Sequence, residues 1–567
     1  MQTAKVIVAL VGIWVGDGDC AAAEDAGSKG PELLVDVTRD WGLPERQQVW
    51  PDGFYLIPEI TAGGVALFDY DQDGDLDVYQ VVHAEPGPLD RVFKTPAPNR
   101  LFEQVAPGRF VEVADAAGLN DAGYGHGCTV GDVDNDGDDD VFVTNYGADS
   151  LYINDGGVFR RADDALPEGA REDHWSSASA LVDYDRDGDL DLFVVHFGLL
   201  DVGHECYAED GVERDYCGPS EIQSAADSLY RNDGHGRFTD VSESVGLNER
   251  PARGWGVVCA DLTGDGWPDI YVCNDEQANQ LWVNQDGEKF VERGVELGAA
   301  VNAEGVMESS MGAAIGDLDE DGNADLFVTH MMGETNTYYV WREGGSYEDA
   351  TRTALMAKVD FPFTGWGCGL VDIDLDGDLD VAIANGRVVI GPAYDSAPYS
   401  PFWNRYAEPN LLFLNCGGGK YQDATSHAGA FGNRPNLARG LALGDLDRDG
   451  DLDLATSSVD NQLRIYRNDA PSVGSHWLQL RLLTRTGRDA EGASVVVNAG
   501  GKTLLRHLLR STSFLSSHAP IVNVGLGAAD AVQRTVVHWP DGQREAFTID
   551  AVDREVVLRQ GDGKVLP

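Results

Sequence analysis

Seven short stretches of this chain alternate acidic and other residues, with a glycine at the sixth position and an aspartate at the ninth. In chain order they hold Asp69, Asp71, Asp73, Asp75 and Asp77; Asp132, Asp134, Asp136, Asp138 and Asp140; Asp183, Asp185, Asp187, Asp189 and Asp191; Asp261, Thr263, Asp265 and Asp269; Asp317, Asp319, Asp321 and Asp325; Asp372, Asp374, Asp376, Asp378 and Asp380; and Asp445, Asp447, Asp449, Asp451 and Asp453. Like charges this dense repel one another unless a hard cation gathers them, and calcium accepts about six to eight oxygens at about 2.3–2.6 Å. Positions 1, 3 and 5 offer side-chain oxygens, position 7 its backbone carbonyl, and position 9 a carboxylate free to bind with both oxygens. Glycine at position 6 permits the sharp turn that brings these groups to one point. The chemistry expected is calcium binding at about seven sites, weakest in the fourth loop, where Thr263 replaces a carboxylate.

An EF-hand opens in the same way but needs a bidentate Glu at position 12 and helices on both sides. Position 12 here holds Gln80, Val143, Val194, Val272, Val328, Ile383 and Thr456, none of them a carboxylate. The residues two before each first aspartate are Leu67, Val130, Leu181, Cys259, Ile315, Leu370 and Leu443, and those four before are again mostly apolar. That period of two marks a strand with one buried face. Five before stands a glycine in every copy but the third, which has Ala178. A β-prone run such as Val141–Thr144 or Ile270–Cys273 follows each loop, so the unit is a strand, a metal turn and a strand.

A second phrase extends the unit. Ser228–Asn232 and Phe238–Asp240 flank a glycine turn, and Asn279–Asn284 with Phe290–Glu292 repeat the pattern. Four strands per unit in seven units predicts an all-β, seven-bladed β-propeller over residues 33–470. The seventh unit stops after Asn468 without its outer phenylalanine-x-aspartate strand, and a matching phrase stands at Leu34–Leu43. Residues 33–43 are therefore expected to complete the last blade and remove its exposed edge. Beyond it, the alternations Trp477–Leu482, Ala493–Val497 and Arg534–Trp539 predict a small β-sandwich or barrel. There His538 and Trp539 either form a site or fix the turn into Pro540.

These loops and their flanks resemble the FG-GAP or VCBS repeats of integrin α-chain propellers. The segment 475–563 resembles the ASPIC/UnbV domain through His476–Leu480, Glu491–Ala493, Val524–Gly527 and His538–Gly542. The combination is similar to the cartilage acidic protein family and its bacterial relatives. It implies a secreted, calcium-dependent protein without an assigned reaction.

A formal charge of −55 is concentrated in the repeats, because residues 471–567 carry 11 Lys and Arg against 9 Asp and Glu. The change in composition supports a domain boundary near Ala470. Such acidity argues against nucleic acid or an anionic membrane as partner, while 43% hydrophobic residues argue against an acidic disordered tail. Lys5, the apolar run Val6–Val15 and Ala21–Ala23 resemble a signal peptide over residues 1–23, with lipidation of Cys20 a weaker alternative. No other stretch has 18 unbroken apolar residues, so membrane insertion of the mature chain is not expected. The compartment expected is secreted, periplasmic or cell-surface. In the insertion 201–226, Cys206 and Cys217 form either a disulfide or, with His204, a zinc site.

Six residues before each first aspartate stand Gly63, His126, Ser177, Trp255, Met311, Trp366 and Arg439. These fall near the central channel and, unlike the loops, they differ from blade to blade. They either build a ligand surface, above all His126, Trp255, Trp366 and Arg439, or plug the channel. Three functions follow: an adhesion module for extracellular protein or glycan, a carbohydrate lyase or dehydratase at the channel, or a structural subunit of an extracytoplasmic assembly. No nucleophile elbow, phosphate-binding glycine loop or zinc-peptidase motif is present, which favours binding over catalysis.

Overall fold

The computed structural model describes residues 32–44, 53, 55–61, 63–83, 98–162, 164–167, 175–199, 205–208, 211–247 and 250–567. The signal-like segment, Cys20 and His204 lie outside the described residues. Seven four-stranded antiparallel sheets follow one another along the chain. Their inner strands are Val65–Phe68, Gly125–Gly131, Trp175–Val182, Gly254–Ala260, Ser310–Gly316, Gly365–Val371 and Ala438–Gly444. Each acidic loop joins an inner strand to the second strand of its blade, as the flanking alternation requires. Consecutive inner strands touch, and Val65–Phe68 touches both Gly125–Gly131 and Ala438–Gly444, so the ring is closed.

The last blade is built from both ends of the ring. Leu34–Asp36 pairs antiparallel with Arg464–Asn468, opposing Leu34 to Asn468 and Asp36 to Tyr466. Leu34 is fully buried there, beside Phe431 and Tyr466. In six of the seven blades the inner strand carries a register shift four to seven residues before its loop, for instance between Gly125 and Cys128 and between Ser310 and Ala313. A bulge leaves backbone groups unpaired in the ladder, and threonines answer them. Thr144 Oγ1 accepts from Gly127 N at 2.8 Å and donates to Ser177 O of the next blade at 2.7 Å. Thr329 Oγ1 does the same between Gly312 N and Trp366 O, at 2.9 and 2.7 Å.

The C-terminal region is a sandwich of two sheets. One holds Val522–Gly527, His476–Leu483 and Arg554–Arg559, with the last pair parallel; the other has five strands, centred on Ser494–Ala499 and Val532–His538. Its apolar core joins Leu478, Leu480, Val495, Val497, Val524, Val537 and Trp539.

This sandwich sits on the acidic-loop face and sends a segment into the ring. Ser513 exchanges both backbone hydrogen bonds with Ala313, Ser517 N donates to Val65 O while Ser517 O accepts from Leu67 N, and Leu515 O accepts from Cys128 N. Ser513 Oγ accepts from Cys368 N at 3.0 Å, and His518 Nδ1 from Leu443 N at 2.9 Å. Inner strands have an unpaired edge towards the axis, and buried backbone groups demand partners. One irregular segment supplies partners to five different blades. The repeated glycine before each loop makes this approach possible: a Cβ on Gly64 would stand 2.2 Å from Leu515 O, and one on Gly312 would stand 2.4 Å from Trp366 O and 2.8 Å from Ser513 O.

Candidate metal centres

All seven loops share one backbone turn. The position-6 amide donates to Oδ2 of the first aspartate, from Gly74 to Asp69 at 3.0 Å through Gly450 to Asp445 at 2.9 Å. These glycines have φ between 89° and 105°, which a side chain would strain. Position 4 is left-handed as well, at φ of 58–64° for Gln72, Asn135, Arg186, Glu320, Leu375 and Arg448, and 73° for Gly264.

The turn gathers carboxylates. One oxygen each from Asp69, Asp71 and Asp77 lie within 4.8 Å of one another, and the same holds for Asp132, Asp134 and Asp136; for Asp183, Asp185 and Asp191; for Asp317, Asp319 and Asp325; and for Asp372, Asp374 and Asp380. Several of the oxygens are buried with no hydrogen-bond partner: Oδ1 of Asp69, Asp183, Asp261 and Asp317 at position 1, and of Asp134 and Asp447 at position 3, with Thr263 Oγ1 beside them. Orphaned acceptors cost free energy where they stand. Residues and geometry therefore fit a hard divalent cation, with oxygen donors only.

The ninth aspartate does more than its spacing suggests. Its two oxygens are not free, because each accepts a backbone amide: Asp77 from Tyr70 N and Gln104 N, Asp140 from Val133 N and Asn154 N, Asp453 from Leu446 N and Asn468 N. It ties the loop to the third strand of its own blade while keeping a lone pair for a cation. The third strand in turn reaches the preceding blade. Asn154 Nδ2 donates to Asp139 O of its own loop and to Tyr70 O of the loop before, at 3.2 and 2.8 Å. Asn232, Asn284 and Asn415 repeat this double bridge, and Asn468 makes its inter-blade half to Ile373 O. In the fifth blade, where Trp341 stands in place of the asparagine, the Tyr347 hydroxyl takes over, donating to Leu262 O at 3.0 Å.

Burial, reinforced by neighbouring carboxylates, raises these acids when no cation is bound. Asp77 is pushed up to about 8, Asp191 to about 9, and Asp269 and Asp325 to about 7. An aspartate with a higher pKa folded than unfolded stabilises the fold below its folded pKa, and this is lost as pH rises from about 4 through that value. After exhaustive chelation the melting temperature is therefore expected to fall between pH 5.5 and pH 8. With saturating cation the trend should flatten or reverse, since the metal binds the deprotonated form. Melting curves at four pH values, with and without chelator, check it.

Basic side chains of the sandwich cover the loops. Arg510 grips Asp139 with two bonds of 2.8 and 2.9 Å, Arg506 donates to Gly377 O at 2.7 Å, and Lys502 pairs with Asp378. Gln479 Nε2 reaches Asp445 Oδ2 at 2.7 Å, and Asn523 reaches Gly450 O at 2.8 Å.

The unrepeated residues form a closed layer around the axis. His126, Trp255, Trp366 and Arg439 are each 1% exposed or less, so none of them presents a surface in this structure. His126 Nε2 accepts from Trp175 Nε1 at 2.9 Å, and Trp255 Nε1 donates to Asp275 at 3.0 Å. Arg439 lies over the Trp366 ring at 4.3 Å and spends its donors on the carbonyls of Ile60, Gly386, Arg387 and Ala438. From the loop side Phe514 of the inserted segment meets Trp366 at 4.8 Å and Trp255 at 6.0 Å between ring centroids. A separate apolar cluster joins Trp403 and Tyr406, which lie between the second and third strands of the sixth blade, to Ile60 and Tyr216. His196 and His330 are buried inside their blades, hydrogen-bonded to Ser176 and Ser310. Cys206 and Cys217 are disulfide-bonded, with Cα atoms 5.1 Å apart, while Cys128, Cys259 and Cys368 are buried free thiols. The inserted segment Ser511–Ala519 has no periodicity that would have exposed its role.

Comparison with known proteins agrees with this architecture. The FG-GAP-like repeat model matches residues 132–194, 220–272, 261–328 and 317–383, and the ASPIC and UnbV model matches residues 483–565. The first and seventh loops lie outside the matched stretches. Cartilage acidic protein 1 of Mus musculus is 24% identical over 527 residues, covering 90% of this chain and 75% of its own length. The Homo sapiens protein is 23% identical over 531 residues, covering 90% and 73%. Among solved structures, YCF48 bound to D1 peptide aligns with a TM-score of 0.38 at 9% identity, over 75% of this chain and all of that one. The ring described above is read from this chain's own strand order. Among the described residues no helix is long and apolar enough to cross a membrane.

Proposed function

From a chain that carries FG-GAP-like repeats and an ASPIC and UnbV domain, we propose a calcium-stabilised extracellular module that binds a protein or a glycan. The observation that carries the calcium reading is the unanswered first aspartate: one oxygen is held by the position-6 amide, and in four loops the other is buried without a partner. A divalent cation is the group that would answer all four at once. Millimolar extracellular calcium suits modular sites with dissociation constants of about 10⁻⁴–10⁻³ M. The relatives named for cartilage support the same compartment.

In this reading the loops are scaffold and recognition lies elsewhere, since seven near-identical sites cannot discriminate a ligand. A lyase or dehydratase at the channel needs a path to His126 and Arg439, and Phe514 stands on the loop side of that layer. The test is a screen of the calcium-loaded chain against an immobilised glycan array and an extracellular-matrix protein panel, each repeated in chelator. Calcium-dependent capture of a defined glycan or protein is the expected result. Turnover of a polysaccharide, abolished by Arg439→Lys in a folded variant, would replace this reading with the enzymatic one.

A further inference from the structure

Between the sandwich and the loops that begin at Asp183 and Asp261 lies a cleft of about 410 Å³. Its floor is the fourth loop, where Asp261, Gly264, Asp265 and Gly266 line it. The opposite wall brings Glu491, His538, Trp539 and Arg544 from the sandwich. Gly264, Asp265, Gly266, His538 and Arg544 are exposed, so the cleft opens to solvent.

Two buried polar atoms belonging to residues of this lining have no hydrogen-bond partner. Trp539 is 2% exposed, packs edge-on against Phe547, and leaves its Nε1 unpaired. Glu491 is 7% exposed; its Oε1 accepts from Arg510 N at 2.9 Å and its Oε2 accepts nothing. An unpaired buried donor and an unpaired buried acceptor are each costly unless something answers them. We propose that this cleft binds a neutral polyhydroxylated ligand, a sugar ring with several free hydroxyls, held by the Trp539 indole N–H and the Glu491 carboxylate.

Hydroxyls suit the pair because each can accept from the indole and donate to the carboxylate. A carboxylate or sulfate ligand would meet the Glu491 carboxylate with no proton to donate to it. A cationic ligand would leave the indole N–H unanswered. The inference rests on the glycan branch of the function proposed above and assigns it a place.

Calorimetric titration of the full calcium-loaded chain with methyl α-mannoside, methyl β-galactoside and methyl α-glucoside tests it, with glucuronate and a capped triglycine as controls. At least one neutral glycoside should bind, and more tightly than either control. Trp539→Phe keeps the ring and removes the donor, and Glu491→Gln keeps the shape and removes the charge. Each should weaken binding roughly five-fold, the worth of about one hydrogen bond, with the melting temperature recorded to confirm folding. Absence of binding by every glycoside, preference for triglycine, or binding indifferent to both substitutions overturns the assignment. The calcium-dependent melting shift in the same samples separates the outcomes. If that shift is present and the glycan array is positive, only this cleft is wrong; if both are absent, the functional reading falls with it.

Discussion

Chelating every divalent cation is expected to lower the melting temperature by about 2–8 °C. A ligand that binds only the native state stabilises it by RT ln(1 + [L]/Kd). At about 1 mM calcium and dissociation constants of about 10⁻⁴–10⁻³ M, each site contributes about 0.4–1.4 kcal/mol, and seven contribute about 3–10 kcal/mol. An unfolding entropy of about 2.1 cal/mol/K per residue converts that sum into the shift quoted. Scanning calorimetry in millimolar calcium and in excess chelator measures it. Loss of the first aspartate in one loop, as in Asp183→Ala, should remove about one seventh of the effect, because the loops share one geometry. Curves that coincide with and without chelator would leave the unpaired oxygens without their cation.

Phe514→Ala is expected to cost about 3–5 kcal/mol, the range for a large aromatic removed from a packed interior. Phe514 is fully buried and belongs to one apolar cluster with Trp175, Phe197, Trp255 and Trp366, to which the third, fourth and sixth blades contribute. The cavity left behind cannot collapse, since the surrounding backbone is fixed by the bonds that Ser513, Leu515 and Ser517 make to the inner strands. Phe514→Leu, closer in volume, should cost about 1–2 kcal/mol. Equilibrium urea denaturation followed by tryptophan fluorescence distinguishes them. A cost below about 1 kcal/mol for the alanine variant would mean that the blades hold the axis closed without the sandwich.

Much of this architecture is visible in the chain before folding. The metal turns show because seven copies keep glycine at position 6, and the inner strands show because Leu67, Val130 and their equivalents alternate with small residues. Other features leave no such trace. Position 4 is left-handed in every loop, yet Gln72, Asn135, Arg186, Glu320, Leu375 and Arg448 are of five different types, because the constraint comes from the turn closing around position 1. The asparagine bridges are hidden by spacing: Asn154 follows its ninth aspartate closely, whereas Asn232 follows Asp191 across an insertion. The segment Ser511–Ala519 is the hardest to read. Its polarity suggests a surface loop, but its partners are the bulged inner edges of a different domain, and nothing local encodes a distant backbone. The residues within the bulge, His126 and Arg439 among them, look like a recognition surface from their diversity alone. Their burial follows from that unseen segment on one side and the packing of Ile60, Gly386 and Arg387 around Arg439 on the other.

The pairing of Leu34 with Asn468 has a consequence for how the ring is made. During synthesis at about 5–20 residues per second, the chain between these partners takes roughly 20–90 s to emerge. For that interval the earliest strand waits while its edge does not yet exist. Only three residues, Leu34–Asp36, form that strand, and Asp36 and Asp40 bring charge to it. Short and charged, it is a poor template for pairing with another chain. Had the ring closed by contributing three early strands and one late one, a broad unpaired sheet would have stood open for as long. Closure by a single short early strand keeps the nascent ring's vulnerable edge small until the last blade arrives to receive it.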